Sequence, residues 1–475
     1  MRLKKFEVLS PGEIQNIVEA GERILAQTGV KVESEKALKK LKEKGLPVNT
    51  TAGVVTFPVD IQRRCLETAP KEIKVIDRNG NHAFTIGDGG AYYASGHNAV
   101  FIDNVVTNEH RPFMLKDVEN YTALSHHLAE IDMIGLPASP KDVNQRTSLL
   151  YSLETAFRKS TKPVFFSTDL SLINHYALEM TCAVSGNNLK KGAYMISQLS
   201  PTSPLFWEKG AVDSIIECAE RNFPVAILPE PIAGVTSPYS LAGLLTIHNV
   251  EALSGVFITQ VVNPGCPVIW ASSWTAFDMR RSCALVGSLE TSLCKIGGAQ
   301  VAKYYNLPLH TTAPNSDNHA LDEQNSWEKV LSLLCAAASG NDLSVNCGMY
   351  ACGMTISLEQ LVMDAEMAGQ IKRLLQGINA DREMIAEDLI KSIGYRGNYI
   401  MEDHTLNLLH TGEYREPLIA ARGNIDTWKE AGGKDAIRMA HDLVTEMLTR
   451  DLPELDLETA RQLKEIITKC ESELK

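Results

Sequence analysis

A repeating rhythm of apolar run, polar loop and amphipathic stretch, set up from about residue 115, constrains this chain more than any other feature. Buried-looking strands are expected at 131–136, 163–167, 193–199, 224–228, 267–272, 307–311 and 343–347. Helical periodicity follows at 146–158, 213–220, 238–259, 288–304, 322–339 and 357–376. Strands that alternate with helices in this way form a parallel sheet, because a helical crossover returns the chain to the same end. Seven readable units leave one strand to be found, which favours an α/β fold closed into an eight-stranded (β/α)8 barrel. An open doubly wound sheet is the alternative, but neither a G-x-G-x-x-G turn nor a G-x-x-x-x-G-K-[ST] loop supports it.

The flanks read differently. Ser10-Pro11-Gly12-Glu13 is a helix start, and helical spacing follows it. Short β-rich runs at 72–76, 83–86 and 99–102, separated by Arg78-Asn79-Gly80-Asn81 and Gly87-Asp88-Gly89-Gly90, have antiparallel hairpin grammar. Residues 1–114 are therefore expected to be a helical and β-hairpin elaboration, 115–376 the barrel, and 377–475 a helical cover packed on it.

Charge and cysteine usage narrow the partners. The formal charge of −12 disfavours nucleic acid or an anionic membrane as the main partner. No uninterrupted apolar run reaches the roughly 18 residues that span a bilayer, and Met1 to Leu9 lacks the apolar stretch of a secretory signal. The ten cysteines include no C-x-x-C pair and read as small core residues of a cytoplasmic protein.

In a βα barrel the chemistry sits at the carboxyl ends of the strands. Those positions read Gln198 and Ser200; Pro229-Glu230-Pro231; Trp270, Ser272, Ser273 and Trp274; Thr311-Thr312; Asn346 and Cys347. No histidine–carboxylate pair at metal spacing and no lysine placed for a Schiff base is among them, so no metal is expected. Glu230 is the one acid at a strand end, with helix capping as its alternative role. Aromatic residues make up only 6% of the chain, yet Trp270, Trp274, Phe206, Trp207, Tyr92 and Tyr93 fall at loops or strand ends. Aromatic faces so placed can cage a quaternary ammonium through cation–π contact. Core packing is the alternative for each of them taken singly.

Several ordered motifs resemble the trimethylamine methyltransferase family. They are the run from Gly348-Met349-Tyr350-Ala351-Cys352-Gly353 to Asp364, Glu402-Asp403-His404-Thr405-Leu406, and Gly412-Glu413-Tyr414-Arg415-Glu416-Pro417. Thr427-Trp428 and Gly432-Gly433-Lys434-Asp435 follow in order. The resemblance implies a TIM-type barrel that passes a methyl group from a methylated amine to the cobalamin of a separate corrinoid protein, with no cofactor bound by the chain itself. Because no pyrrolysine is present, the chain resembles members acting on quaternary amines such as glycine betaine, proline betaine, carnitine or γ-butyrobetaine.

On that reading the catalytic residues stay unassigned. Trp270, Trp274, Phe206 and Tyr93 would hold the trimethylammonium end, with Glu230 adding charge. Gln198, Asn346, His310 or the Arg280–Arg281 pair would meet a carboxylate, the arginines having a solvated helix start as their alternative. Trp207, Cys347 and Tyr350 complete the candidate set, and a homo-oligomer is compatible with it. A barrel lyase or aldolase and a non-catalytic betaine-binding protein are the competing readings.

Overall fold

The computed structural model describes residues 5–474; the first four residues of the amino-terminal stretch read above, and Lys475, lie outside the described residues. Eight strands form one all-parallel sheet: β1 (Tyr92–Ser95), β2 (Ile134–Gly135), β3 (Val164–Ser167), β4 (Met195–Leu199), β5 (Val225–Ile227), β6 (Val268–Ser272), β7 (Leu309–Thr312) and β8 (Leu343–Cys347). Each strand pairs with the next, β8 pairs with β1, and a parallel bridge between Ala94 and Met133 joins β1 to β2. The sheet is thus a closed barrel.

A helix follows every strand: α1 (Leu115–His127), α2 (Ser148–Lys159), α3 (Ser171–Ser185), α4 (Lys209–Glu220), α5 (Leu241–Val262), α6 (Leu289–Tyr304), α7 (Glu323–Ser339) and α8 (Leu358–Gln376). The strand missing from the sequence reading is β1. It is four residues long between two glycine-containing turns, which made it look like one more piece of hairpin. The boundary drawn at 114/115 therefore falls after the first strand of the barrel.

The expected hairpin does exist. Strands Ile73–Ile76 and His82–Ile86 pair antiparallel, and Ile73, Val75, Phe84 and Ile86 enter the same buried cluster as the barrel interior. The Lys74 carbonyl accepts from the Ala193 N–H, just before β4, so the hairpin plugs the amino-terminal end. At the carboxyl end, strands Phe101–Asn104, Glu109–Pro112, Met349–Tyr350 and Thr355–Ile356 form a small sheet over the rim.

Helix α5 is long and apolar enough to cross a membrane by length and composition, although polar residues interrupt its apolar run. In the fold, 72% of its most apolar window is buried, and it serves as a core helix. After α8, the helices Ala436–Met447 and Leu457–Glu473 pack on the barrel as a cover, with Ala440, Val444, Leu463 and Ile467 buried. The stretch between α8 and Ala436 does not: Ile419 is its one buried residue.

Candidate active site

Strand parity decides which side chains face the barrel axis, since alternate residues point to opposite faces. Ala94, Phe165, Ile196, Ala226, Ile269, Ala271, Leu343 and Val345 share one interior cluster. Continuing in steps of two brings Ser167, Gln198, Glu230 and Ser273 inward, joined by His310 and Thr312 on β7. Contacts bear this out for the lower part: the His310 ring stacks on Phe165 at 5.0 Å, and His97 meets Phe165 edge-on at 5.3 Å. Gln198 Nε2 lies 3.3 Å from His97 Nε2 and donates to Ser167 Oγ at 3.2 Å. Higher up, Thr312 Oγ1 donates to Ser273 Oγ at 3.4 Å.

Parity removes the aromatic cage. Trp270 lies between the inward Ile269 and Ala271 and points out toward α5, where its Nε1 donates to Asn249 at 3.3 Å. Trp274 is also buried there; His248 sits 4.6 Å from the Trp270 ring and 4.2 Å from the Trp274 ring. A side chain on Gly298 of α6 would come within 2.4 Å of Trp274. Trp207 is buried too, with Nε1 donating to Ser254 of α5 at 2.9 Å, and Phe206 lies beneath Lys31, its neighbour where Phe206–Trp207 pairs parallel with the strand Val30–Val32 outside the barrel. Tyr93, on the opposite parity to Ala94, points outward, with Lys372 Nζ 5.2 Å from its ring. All five pack outside the barrel.

A bulge in β8 separates Asn346 from Cys347. The register shifts there and Asn346 adopts φ 122°, a conformation side chains rarely take. Asn346 Nδ2 consequently donates to Asn315 at 3.0 Å, in the loop after β7. The Cys347 thiol instead joins the buried cluster behind β8, where burial pushes it well above the ordinary thiol range. Tyr121 couples the two loops: its hydroxyl donates to the Cys347 carbonyl at 2.6 Å and accepts from the Gly96 N–H, next to His97, at 2.8 Å. Tyr350 lies in the rim sheet, its hydroxyl bonded to Asp103, beside a cavity of about 320 Å³. Arg280 and Arg281 sit in an exposed turn held by Asp278, in the loop after β6.

The mouth has two levels. At the lip, Glu230 is open to solvent yet hemmed in by protein; burial raises its carboxyl above the usual range, with Ser273 opposing the rise and Asp169 adding to it. Asp169 is itself raised by burial, and it lines a cavity of about 440 Å³ with Ser167 and Asn98. Below the lip, His97, Gln198 and His310 are 8%, 4% and 0% exposed. Burial lowers His97 to about 4 and His310 to about 3, so both rings are neutral at physiological pH. His97 Nδ1, Gln198 Oε1 and both His310 ring nitrogens have no hydrogen-bond partner. These inward groups include two carboxylates and no lysine or arginine; Lys141, on the rim, is exposed and donates to Gln145. Among the described residues no cluster of three or more histidine, cysteine or acidic side chains could hold a metal.

The sequence model of the trimethylamine methyltransferase (MTTB) family matches residues 1–475. The chain belongs to that family. It is 32% identical to the trimethylamine methyltransferase MttB of Desulfitobacterium hafniense, over 95% of this chain and 91% of that one. It is 28% identical to a glycine betaine methyltransferase of the same species, over 90% and 89% of the two chains. The solved monomethylamine methyltransferase of Methanosarcina barkeri covers 94% of this chain and 93% of its own, at 13% identity and a TM-score of 0.47. As a member of the trimethylamine methyltransferase family the protein is a methyltransferase, and barrel enzymes in general place their chemistry at the carboxyl ends of the strands.

His97 and Asp169 were missed by sequence reasoning. Asp169 lies two residues past the end of the 163–167 run, so the strand-end rule could have found it. His97 could not be placed without β1.

Proposed function

We propose that the protein transfers a methyl group from a quaternary amine, such as glycine betaine, proline betaine or carnitine, to Co(I) of a corrinoid carried by a separate cytoplasmic protein. The observation that carries this reading is the vertical order of the mouth, with carboxylates at the lip above neutral, unpartnered hydrogen-bonding groups. A corrinoid is too large to enter the barrel, so the methyl group must be presented upward. The cationic nitrogen then lies level with Glu230, supported by Asp169. The substrate's other end points down to His97, Gln198 and His310. A carboxylate or hydroxyl there accepts the imidazole N–H bonds that the protein leaves unmade, and unmade buried bonds are costly. Asn346, turned inward by the bulge, closes the side of this pocket.

The chemistry asks little else of the chain. Co(I) is a strong nucleophile and the leaving group is a neutral tertiary amine, so neither a general base nor a general acid is required. Bond order is conserved: the methyl carbon–nitrogen bond breaks with its electron pair on nitrogen while a carbon–cobalt bond forms. What the protein supplies is alignment, which contributes up to roughly 7–11 kcal/mol in well-oriented systems. Positive charge leaves the nitrogen in the transition state, so an over-strong carboxylate would favour the ground state and slow transfer. A solvent-touched Glu230 with a raised pKa limits that penalty.

The test is a panel of glycine betaine, proline betaine, carnitine, γ-butyrobetaine, choline and trimethylamine with Co(I) cobalamin, followed optically as methyl-Co(III) forms. Turnover of at least one quaternary amine is expected. Activity confined to trimethylamine, which has no polar tail and no fixed charge, would overturn the reading.

A further inference from the structure

The floor of the mouth can donate hydrogen bonds, yet among the described residues it holds no fixed positive charge. His310 is fully buried on β7, and its ring stacks on Phe165 with the centres 5.0 Å apart and the planes 11° from parallel. Neither of its ring nitrogens has a hydrogen-bond partner. His97, after β1, meets the same phenyl ring edge-on at 5.3 Å. Its Nε2 lies 3.3 Å from Gln198 Nε2, an amide donor, so that nitrogen accepts and Nδ1 carries the ring's proton. The same amide donates to Ser167 Oγ at 3.2 Å, which sets its orientation. The two rings therefore differ. Gln198 fixes His97 in one neutral form with its Nδ1–H unpartnered, whereas His310 keeps one N–H and one free lone pair.

The titratable and charged groups around His310 are few. His97 shares the floor with it, and Asp169 after β3 and Glu230 after β5 stand at the lip. Asp342, just before β8, accepts from the Leu309 N–H at 2.8 Å at the amino-terminal end. Strands β4, β6 and β8 bring Gln198, Ser273 and Asn346, which do not titrate, and Lys141 after β2 is exposed on the rim. Such a floor rejects either charge when it comes alone. Burial disfavours an imidazolium there and holds His310 at about 3 in the free chain. A carboxylate lowered onto it meets N–H donors but no countercharge, and buried charge is tolerated only when paired. Together the two form a charge-assisted hydrogen bond, the strong kind. The Phe165 face lies within the roughly 6 Å of a cation–π contact, so it favours the imidazolium over the neutral ring.

We propose that His310 takes up a proton when a quaternary amine with a carboxylate tail binds, so that the floor pairs that carboxylate with an imidazolium formed only in its presence. The cation is at the lip and the tail below, as in the substrate reading on which this depends. The proton comes from solvent and adds to the free lone pair of His310; no other covalent bond is made or broken. His97 contributes its Nδ1–H as a second donor that does not titrate. A hydroxyl tail needs only the neutral donors and takes up no proton at His310. The site thus admits both tail chemistries and separates them by pH, favouring the carboxylate over the hydroxyl as the pH falls.

Calorimetric titration of the full chain with glycine betaine and with choline, each in buffers of different ionisation enthalpy, counts the protons taken up on binding. Protons moved at Glu230 or Asp169 answer to the ammonium that both ligands share, and cancel in the comparison. At neutral pH glycine betaine should take up about one proton more than choline, and the ratio of their dissociation constants should shift about tenfold toward choline for each unit the pH is raised. In His310→Asn, which keeps a donor and cannot titrate, the difference should vanish and betaine affinity at neutral pH should fall at least tenfold. In His97→Asn the difference should remain. Equal proton counts for the two ligands in the native chain would overturn the proposal. So would a difference that survives His310→Asn or disappears only in His97→Asn, or binding of choline without betaine; each of these leaves the quaternary-amine reading standing. Failure of every quaternary amine to bind would instead overturn that reading. Should the variants fail to fold, the comparison of the two ligands on the native chain decides alone.

Discussion

Lys329 Nζ lies 2.9 Å from the Asp364 carboxylate, and neither side chain has any exposed surface. The pair joins α7 to α8 directly behind β8. Asp364 also accepts from the Gly348 N–H at 2.6 Å and from Gln360 at 2.8 Å, and Lys329 donates to the Met349 carbonyl. Gly348 has φ 92° and Asn346 φ 122°, so the ion pair holds the left-handed turn that re-aims Asn346 into the mouth. Stability and site geometry therefore meet in one contact.

Replacing Lys329 by Met strands the Asp364 charge in the core. Breaking a buried pair from one side costs about 3–5 kcal/mol, whereas replacing both partners by apolar groups is often near neutral. Lys329→Met should therefore shift urea unfolding by that amount, and the double change to Lys329→Met with Asp364→Leu should recover part of it. Turnover should not return with stability, because the Gly348 N–H loses its acceptor in the double variant and the bulge is no longer pinned. Full activity in the double variant would show that the bulge sets itself.

Glu230→Gln keeps the shape of the lip and removes its charge. kcat/KM for a quaternary amine is expected to fall at least tenfold, mostly through KM, since the lost attraction acts on the bound cation. Thermal stability should move the other way. The Glu230 pKa is raised in the folded chain, so between its unfolded and folded values the native state holds the extra proton, and stability declines as pH rises through that window. Above it the carboxylate is a burden that glutamine lacks. A thermal scan at neutral pH should place the melting temperature of the variant at or above that of the native chain.

How much of this was legible beforehand depends on what each residue's neighbours could announce. Seven strands and six helices were readable because buried parallel strands are continuous apolar runs and barrel helices are amphipathic. The eighth strand was not, because its closure depends on pairing with residues 343–347, some 250 positions away, and nothing local announces that. The strand-end rule pointed to Gln198, Glu230 and Asn346, and His310 was a donor candidate beside them; the fold carries Gln198 and His310 on inward positions of their strands. The tryptophans failed it for a different reason: position along a strand says how near a side chain is to the mouth, while parity says which side of the wall it occupies. Trp270 sits one residue off the inward series, and that single step moves it from the mouth to α5. The β8 bulge makes the same point in reverse, exchanging the directions of Asn346 and Cys347 without any warning in the sequence.

Trp270 should accordingly behave as a packing residue. Trp270→Ala should cost about 3–5 kcal/mol, as large-to-small changes of buried aromatics do. Trp270→Phe should cost less, chiefly the bond to Asn249 and the cavity left by the smaller ring. In the folded phenylalanine variant, KM for amine should match that of the native protein to within about twofold. A large rise in KM without loss of stability would return Trp270 to the substrate site.

Glu251 gives a pH signature that has nothing to do with catalysis. It lies buried on α5, accepting from the Leu205 N–H and the Ser203 hydroxyl at 2.7 Å each, and burial raises its carboxyl to about 7 while those two bonds pull the other way. An unfolded glutamate titrates near 4.3. Between these values the folded chain binds a proton that the unfolded chain has released, so stability is highest below about pH 4.5 for this group and is lost as pH rises toward 7. The loss is on the order of 3 kcal/mol for a shift of this size. Glu251→Gln keeps an acceptor for Leu205 and offers Ser203 a donor in place of the second oxygen. The variant should match the native chain in chemical denaturation near pH 5 and exceed it near pH 8. Equal stability at both pH values would mean that Glu251 stays ionised in the fold and that water reaches it.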